Sequence, residues 1–201
     1  TSGTTGQSKG AMLSQKNLLS NALALSKAWE FTASDILLHA LPIYHTHGLF
    51  VATNIALVSG GQIRFLKKFD VDDIILNLPS TTVMMGVPTF YTRLLTNNKF
   101  NEEITKNIRL FISGSAPLLT ETHKEFEYRT GHKILERYGM TETNMITSNP
   151  YIGERKAGTV GMVLEDVEIR ITDLEIGDEV KQNGDIGIVE VKGPNVFKGY
   201  W

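Results

Sequence analysis

The chain has 201 residues, a formal net charge of −2 from 20 basic and 22 acidic side chains, 41% hydrophobic residues and no cysteine. That length predicts one domain or two small ones, able to bury roughly 70% of the surface the unfolded chain exposes. The even charge balance excludes a dedicated nucleic-acid binder, whose affinity would rest on clustered Lys and Arg. The lack of cysteine excludes disulfides and thiolate metal sites, and fits a reducing compartment such as the cytoplasm or an organellar matrix. No apolar run approaches the roughly 18 residues of a membrane span. The chain opens at Thr1-Ser2-Gly3 with neither Met nor a basic-then-apolar leader, and stops at Gly199-Tyr200-Trp201, so both ends are expected to be cut.

Residues 1–10, TSGTTGQSKG, have loop composition. Ser14 is placed to cap a helix through about Glu30, with Leu18, Leu19, Ala22, Leu25 and Trp29 on one stripe. Ile36 to Leu41 reads as a buried strand and Gly48 to Val58 as a packed helix. Ile63 to Leu66 reads as a strand, Val71 to Leu78 as a helix, and Thr82 to Val87 as a strand stopped by Pro88. Phe90 to Leu95 continues helically. Leu110 to Ser113 is a strand, Leu119 to Thr130 a helix closed by Gly131, and Ile134 to Tyr138 a further strand. This rhythm predicts an α/β fold with a parallel or mixed sheet and packed helices. Beyond residue 155, Val167–Ile171 alternates with period 2 and Ile186–Val191 is strand-like behind Asn183-Gly184. The expected division is therefore an α/β portion over 1–150 and a β-rich, antiparallel portion over 151–201.

Four segments have the composition of chemistry. In the opening loop, Gly3, Gly6 and Gly10 permit close backbone approach, while Thr1, Ser2, Thr4, Thr5, Ser8 and Lys9 add hydroxyl donors and a point charge suited to a polyphosphate. It is not a Walker A loop, which needs four residues between its glycine and a Gly-Lys-Ser/Thr. Tyr138-Gly139-Met140-Thr141-Glu142-Thr143 follows a strand, where ligands bind in α/β sheets. Its hydroxyl beside a carboxylate can hold a phosphate oxygen and Mg²⁺ together, and the bland alternative is a helix start capped by Thr141. Ser113-Gly114-Ser115-Ala116-Pro117 is a strand-to-glycine turn whose small residues admit a flat ring, or an ordinary turn with Pro117 near the helix start. His45 and His47 have no third ligand at sensible spacing, so a histidine lining a cleft is favoured over a metal site.

Together, TSGTTGQSKG, the His45 region, SGSAP and ERYGMTET, in this order, resemble the adenylate-forming superfamily of acyl- and aryl-CoA synthetases and luciferases. Within it, HTHGLFVATN, MGVPTFYTRLL, LFISGSAPLL, ERYGMTETNM and IVEVKGPNVFKGYW are most similar to malonyl-CoA synthetases. The resemblance implies that Thr1, Ser2, Gly3, Thr4, Thr5, Gly6 and Lys9 hold the ATP phosphates. Gly114, Ser115, Ala116 and Pro117, with Glu136, Arg137, Tyr138 and Gly139, would frame the adenine. Thr141 would contact phosphate and Glu142 would help to hold Mg²⁺, with His45 at the acyl pocket near Ser113, Met140 and Arg93. A second substrate carboxylate needs a cation, since a buried unpaired charge is costly, and Arg93 is the candidate because guanidinium suits carboxylate bidentately. The implied reaction makes an acyl-AMP from a carboxylic acid and ATP, then transfers the acyl group to CoA. A fatty- or aryl-acid ligase and a non-catalytic nucleotide-binding module are the alternatives. The family's ribose-binding aspartate, an arginine soon after it and the lysine of its small C-terminal domain would all lie beyond Trp201. The 201 residues alone are therefore expected to have little synthetase activity, and to self-associate through exposed apolar surface.

Overall fold

A computed structural model describes residues 1, 7–173 and 184–201. Its main sheet has seven strands in the order β2-β1-β3-β4-β5-β6-β7. These are β1 (Ile36–His39), β2 (Gln62–Phe65), β3 (Val83–Gly86), β4 (Leu110–Ser113), β5 (Leu135–Met140), β6 (Asn144–Ser148) and β7 (Met162–Val163). β2, β1, β3, β4 and β5 are parallel, while β6 and β7 are added antiparallel. The expected mixed, parallel-dominated α/β fold is therefore present. β8 (Glu168–Thr172) and β9 (Ile188–Lys192) pair antiparallel as a second, two-stranded sheet.

The central strands are apolar on both faces because both faces are covered. Leu37, Val83, Met85, Leu110 and Ile112 enter one core, with Leu25 of α1 (Gln15–Ala28) and Trp29 at the C-cap of that helix. The alternate residues Leu38, Met84 and Phe111 enter the other. There they meet Ile74 of α3 (Val71–Asn77), Tyr91 and Leu94 of α4 (Pro88–Leu95), and Phe126 of α6 (Thr120–Thr130). Period-2 alternation thus feeds two layers of helices from one set of strands.

Local chemistry sets the ends of these elements. Ser14 and Asn17 cap α1 reciprocally, each side chain bonding the other's backbone N–H. The Asp70 carboxylate accepts from the Asp72 and Asp73 amides to start α3. Gly131 closes α6 at φ +73, a left-handed position that glycine occupies without steric cost.

Three expectations need correction. The helix expected over Gly48 to Val58 begins as a π-helix, His47–Thr53, before becoming α2 (Asn54–Val58). His39 Nε2 and Thr53 Oγ1 both bond the Gly48 carbonyl, at 3.0 and 2.9 Å, occupying the acceptor that a regular α-turn would offer to Ala52. The TET segment is neither a helix start nor wholly a loop. β5 runs on through Met140, turns over Thr141–Thr143 and returns as β6, a fully buried strand that the sequence reading missed. A short helix α5 (Glu102–Thr105), capped by Asn101, was also missed. In the expected turn before β9, Gly184 has φ +101, while Asn183 lies outside the described residues.

Candidate active site

The chain winds one way from β1 to β2 and the other way from β3 onward, so the C-terminal ends of β1 and β3 form a switch point where α/β sheets bind ligands. A cleft of about 1260 Å³ opens there. Residues 40–48 after β1, Val87 and Phe90 after β3, Ser115 after β4, and Gly139 to Glu142 at the end of β5 line it, together with Lys9 and Tyr200.

The structure brings together many of the residues singled out from sequence. Thr1, Lys9, His45, Ser115, Arg137, Gly139, Met140, Thr141 and Glu142 line this cleft. The Thr46 and Thr141 hydroxyls meet at 3.5 Å, joining the loop after β1 to the β5–β6 turn. Thr1 Oγ1 accepts the Lys9 amide at 3.0 Å and so closes the base of the opening loop. Ser2, Gly3, Thr4, Thr5 and Gly6 lie outside the described residues.

Other candidates are placed elsewhere. Glu136 turns its carboxylate to the Gly158 amide, 3.0 Å away, and to His123, 3.7 Å away, which holds the 156–159 turn against the sheet. Tyr138 is half-exposed, and Tyr138, Ala116 and Pro117 are not in the cleft lining. Ser113 is buried behind it, with its hydroxyl unpartnered. Arg93 does not reach the cleft directly. Its guanidinium lies 4.7 Å from the Phe69 ring, and Phe69 stacks at 3.9 Å on Phe90; these two rings form the wall.

Arg137 is the feature least expected from sequence, where it was grouped with the adenine frame. It is 4% exposed, and its Nε and Nη2 have no hydrogen-bond partner. Burial pushes its pKa down to about 10, against a smaller opposing influence of Tyr91. The side chain fits only because residue 114 is glycine, since a Cβ there would lie 2.3 Å from Arg137 Cζ. Beside it, His47 is buried, with Nδ1 3.3 Å from the Ser115 hydroxyl and Nε2 unpartnered. Burial first, then the charge of Arg137, lowers the His47 pKa well below its ordinary value, so the ring is neutral. His47, Lys67, Lys68, Phe69, Phe90 and Tyr200 are lining residues that sequence reasoning did not assign. The Lys-Lys-Phe run after β2 and the second histidine of His-Thr-His were visible signals, but nothing local told which side chain faces inward.

Glu142 is 8% exposed, and its Oε1 accepts the Tyr200 hydroxyl at 2.8 Å. The described residues contain no group of three or more His, Cys, Asp or Glu able to cage a metal. A single carboxylate beside a hydroxyl nevertheless fits Mg²⁺, which takes one or two protein oxygens and completes its shell with phosphate and water. The cleft therefore combines a buried cation lacking an anion, a carboxylate suited to Mg²⁺ and an ammonium beside a polar loop.

Curated proteins and solved structures show what the chain is similar to. The chain is 40% identical over 221 residues to a malonate–CoA ligase of Arabidopsis thaliana, an alignment covering 100% of this chain and 36% of that protein. It superposes on ATP-bound MatB from Rhodopseudomonas palustris with a TM-score of 0.98 and 62% identity, covering 100% of this chain and 40% of that one. A malonyl-CoA ligase ternary product complex with methylmalonyl-CoA and AMP bound matches at TM-score 0.89 and 37% identity, with 44% of that chain covered. The chain thus spans well under half the length of these proteins. No helix among the described residues is long and apolar enough to cross a membrane. The family profile described as AMP-binding enzyme matches residues 1–201, and the chain belongs to that family.

Proposed function

We propose that these residues form the ATP- and acid-binding part of an ATP-dependent acid–CoA ligase whose acid is a short dicarboxylate, malonate. The observation that carries the reading is Arg137: a guanidinium buried in the cleft wall with Nε and Nη2 unpaired is costly unless an anion completes it. A monocarboxylic acid must spend its carboxylate on the reaction. A dicarboxylate has a second one to give to Arg137, in the bidentate geometry that guanidinium favours. Arg93 then acts through Phe69 on the shape of the wall rather than on the substrate. Neutral His47 and the Ser115 hydroxyl beside Arg137 offer hydrogen bonds without a competing charge.

In the first step a carboxylate oxygen of the acid attacks the α-phosphorus of ATP, and the bond to pyrophosphate breaks. In the second, the CoA thiolate attacks the acyl carbonyl and AMP leaves. Such a phosphoryl-centre displacement is catalysed mainly by positioning and charge stabilisation. Lys9, Thr141 and the opening loop, including Ser2, Gly3, Thr4, Thr5 and Gly6, would hold phosphate oxygens. Gly114 to Pro117, Glu136, Tyr138 and Gly139 would border the nucleotide, leaving the Arg137 guanidinium to the acid. Glu142 would hold Mg²⁺, which when bound neutralises developing charge on the phosphates. His45, Met140 and Ser113 would shape the acyl end. Residues 1–150 would carry these groups and residues 151–201 the β-rich portion of the same large domain, in the cytoplasm or an organellar matrix. The share of the relatives' length covered, 36% to 44%, supports binding rather than turnover as the property of these residues alone.

Calorimetry of this chain with Mg·ATP, followed by malonate, propionate or benzoate, tests the reading. Malonate should give a heat that propionate, which lacks the second carboxylate, does not. Equal binding of propionate would sink the dicarboxylate assignment. Preferential binding of benzoate would favour an aryl-acid ligase, for which the Phe69–Phe90 wall is suited. Nucleotide binding with no response to any acid would favour a non-catalytic nucleotide-binding module.

A further inference from the structure

Tyr200 stands between two groups of opposite charge in the cleft. Its hydroxyl donates to Glu142 Oε1 at 2.8 Å, and its ring centroid lies 5.0 Å from Lys9 Nζ. All three side chains line the cleft, and Lys9 and Glu142 form no ion pair with each other. The backbone around Tyr200 is anchored on both sides. Met12 is bonded to this strap twice: its N–H donates to the Gly199 carbonyl at 2.9 Å, and its carbonyl accepts the Lys198 N–H at 3.0 Å. The Trp201 amide reaches the Gly10 carbonyl at 2.7 Å, and the Phe197 amide reaches the Glu142 carbonyl at 2.7 Å. The ring also packs edge-on against Phe197 at 4.9 Å. The phenol is therefore fixed relative to both the exit of the opening loop and the β5–β6 turn.

We infer that Tyr200 is a positioning residue for Mg²⁺: it holds one oxygen of Glu142 so that the other faces the cleft as a single-oxygen ligand, and it keeps the Lys9 ammonium from collapsing onto that carboxylate. A carboxylate and an ammonium facing one empty cleft gain by pairing with each other, and every such pairing has to be broken before phosphate and metal enter. A phenol between them satisfies both, through a charge-assisted hydrogen bond on one side and a cation–π contact on the other. The inference rests on the proposal that Glu142 holds Mg²⁺, and the controls below separate the two.

The test is the Mg²⁺ dependence of ATP binding to the full chain, by calorimetry, for wild type, Tyr200→Phe and Glu142→Gln. Tyr200→Phe keeps the ring, its packing on Phe197 and its face for Lys9, and deletes only the donor. The expected result is that the Mg²⁺ concentration giving half of the metal-dependent gain in ATP affinity rises about tenfold, the scale of one hydrogen bond to a charged group. Metal-free ATP affinity should stay unchanged. A fall in both metal-free and Mg²⁺-dependent affinity would mean a purely structural role and overturn the inference. If Glu142→Gln removes the metal-dependent gain while Tyr200→Phe leaves it intact, Tyr200 has no positioning role although Glu142 does hold the metal. If Glu142→Gln also leaves the gain intact, the assignment of Mg²⁺ to Glu142 fails, and the role of Tyr200 fails with it.

Discussion

Replacing Arg137 by methionine should make the ligand-free protein more stable while abolishing its response to malonate. The guanidinium is 4% exposed with Nε and Nη2 unpaired, and burial pushes its pKa down to about 10. Against a free guanidinium, that depression is worth roughly 3 kcal/mol. The sign is a cost of folding. Near pH 7 the group is charged in both states, and the folded protein holds the charge less well, so the cost persists until pH climbs past about 10. Methionine keeps most of the stem but fits Gly114 less well, giving back about 1 kcal/mol. The net expectation is a gain of about 1–3 kcal/mol, read as a rise of about 0.5–1 M in the urea midpoint. Trp29, fully buried with its Nε1–H on Ser148 Oγ, supplies the fluorescence signal. Malonate at about a hundred times its Kd should add about 2.7 kcal/mol to wild type and nothing to the variant. A midpoint below wild type, or an equal malonate shift in the variant, would refute the reading of Arg137 as a cation awaiting an anion.

Gly114→Ala places a Cβ 2.3 Å from Arg137 Cζ and should cost about 1–3 kcal/mol in the same titration. Combined with Arg137→Met the cost should shrink, because the two substitutions share one contact. Asp35→Asn should destabilise by about 2–4 kcal/mol at pH 7, since it breaks a largely buried pair in which Arg109 bonds both carboxylate oxygens, at 2.7 and 2.8 Å. Burial alone would raise the Asp35 pKa, but hydrogen bonds from Arg109, Thr32 and Thr82 outweigh it and hold the group below its ordinary value. Its stabilisation is therefore present above about pH 4 and lost as pH falls through the folded pKa, so the variant should show a shallower acid limb in a pH series of urea midpoints. Leu19, Leu23 and Leu57 are more than half exposed, and sedimentation velocity should show concentration-dependent association that Leu19→Lys with Leu23→Lys reduces. A single monomeric species at all concentrations in the wild type would remove that prediction.

The elements most legible in the sequence are those whose signals are local. Ser14 and Asn17 announce α1, Gly131 closes α6, and the apolar runs around Leu38, Met84 and Phe111 mark strands that only a two-faced sheet can bury. β6 was missed because Asn144-Met145-Ile146-Thr147-Ser148 shows neither alternation nor a continuous apolar run. The strand is buried through tertiary bonds instead: the Asn21 side chain bonds both the N–H and the carbonyl of Met145, and Trp29 Nε1–H donates to Ser148 Oγ, while Asn144 and Thr147 are buried with their side-chain polar atoms unpartnered. The site was legible as a set of loops, because glycine, hydroxyl and carboxylate at fixed spacing have a local meaning. The inward-facing members of that set were not. His45 and His47 are two residues apart and chemically identical, and only the π-helical turn makes the second one the buried partner of Ser115. Arg93 and Arg137 are likewise both arginines near the motifs. Only the open turn at Gly114 admits one of them into the wall.

The strap that carries Tyr200 joins residues almost a full chain length apart: the Asn17 side chain donates to the Val196 carbonyl 179 positions away. Closing so long a loop carries a large entropic cost that is recovered only through contacts with an otherwise finished fold, so the strap should form late and open early. On that expectation, one lip of the cleft should follow a local opening equilibrium of the strap, distinct from the stability of the whole domain. Any ligand that touches both Lys9 and Glu142 would draw its affinity partly from holding that equilibrium shut. Amide exchange at Met12, Lys198 and Trp201 would then slow on binding, while exchange in β3 and β4 stayed the same.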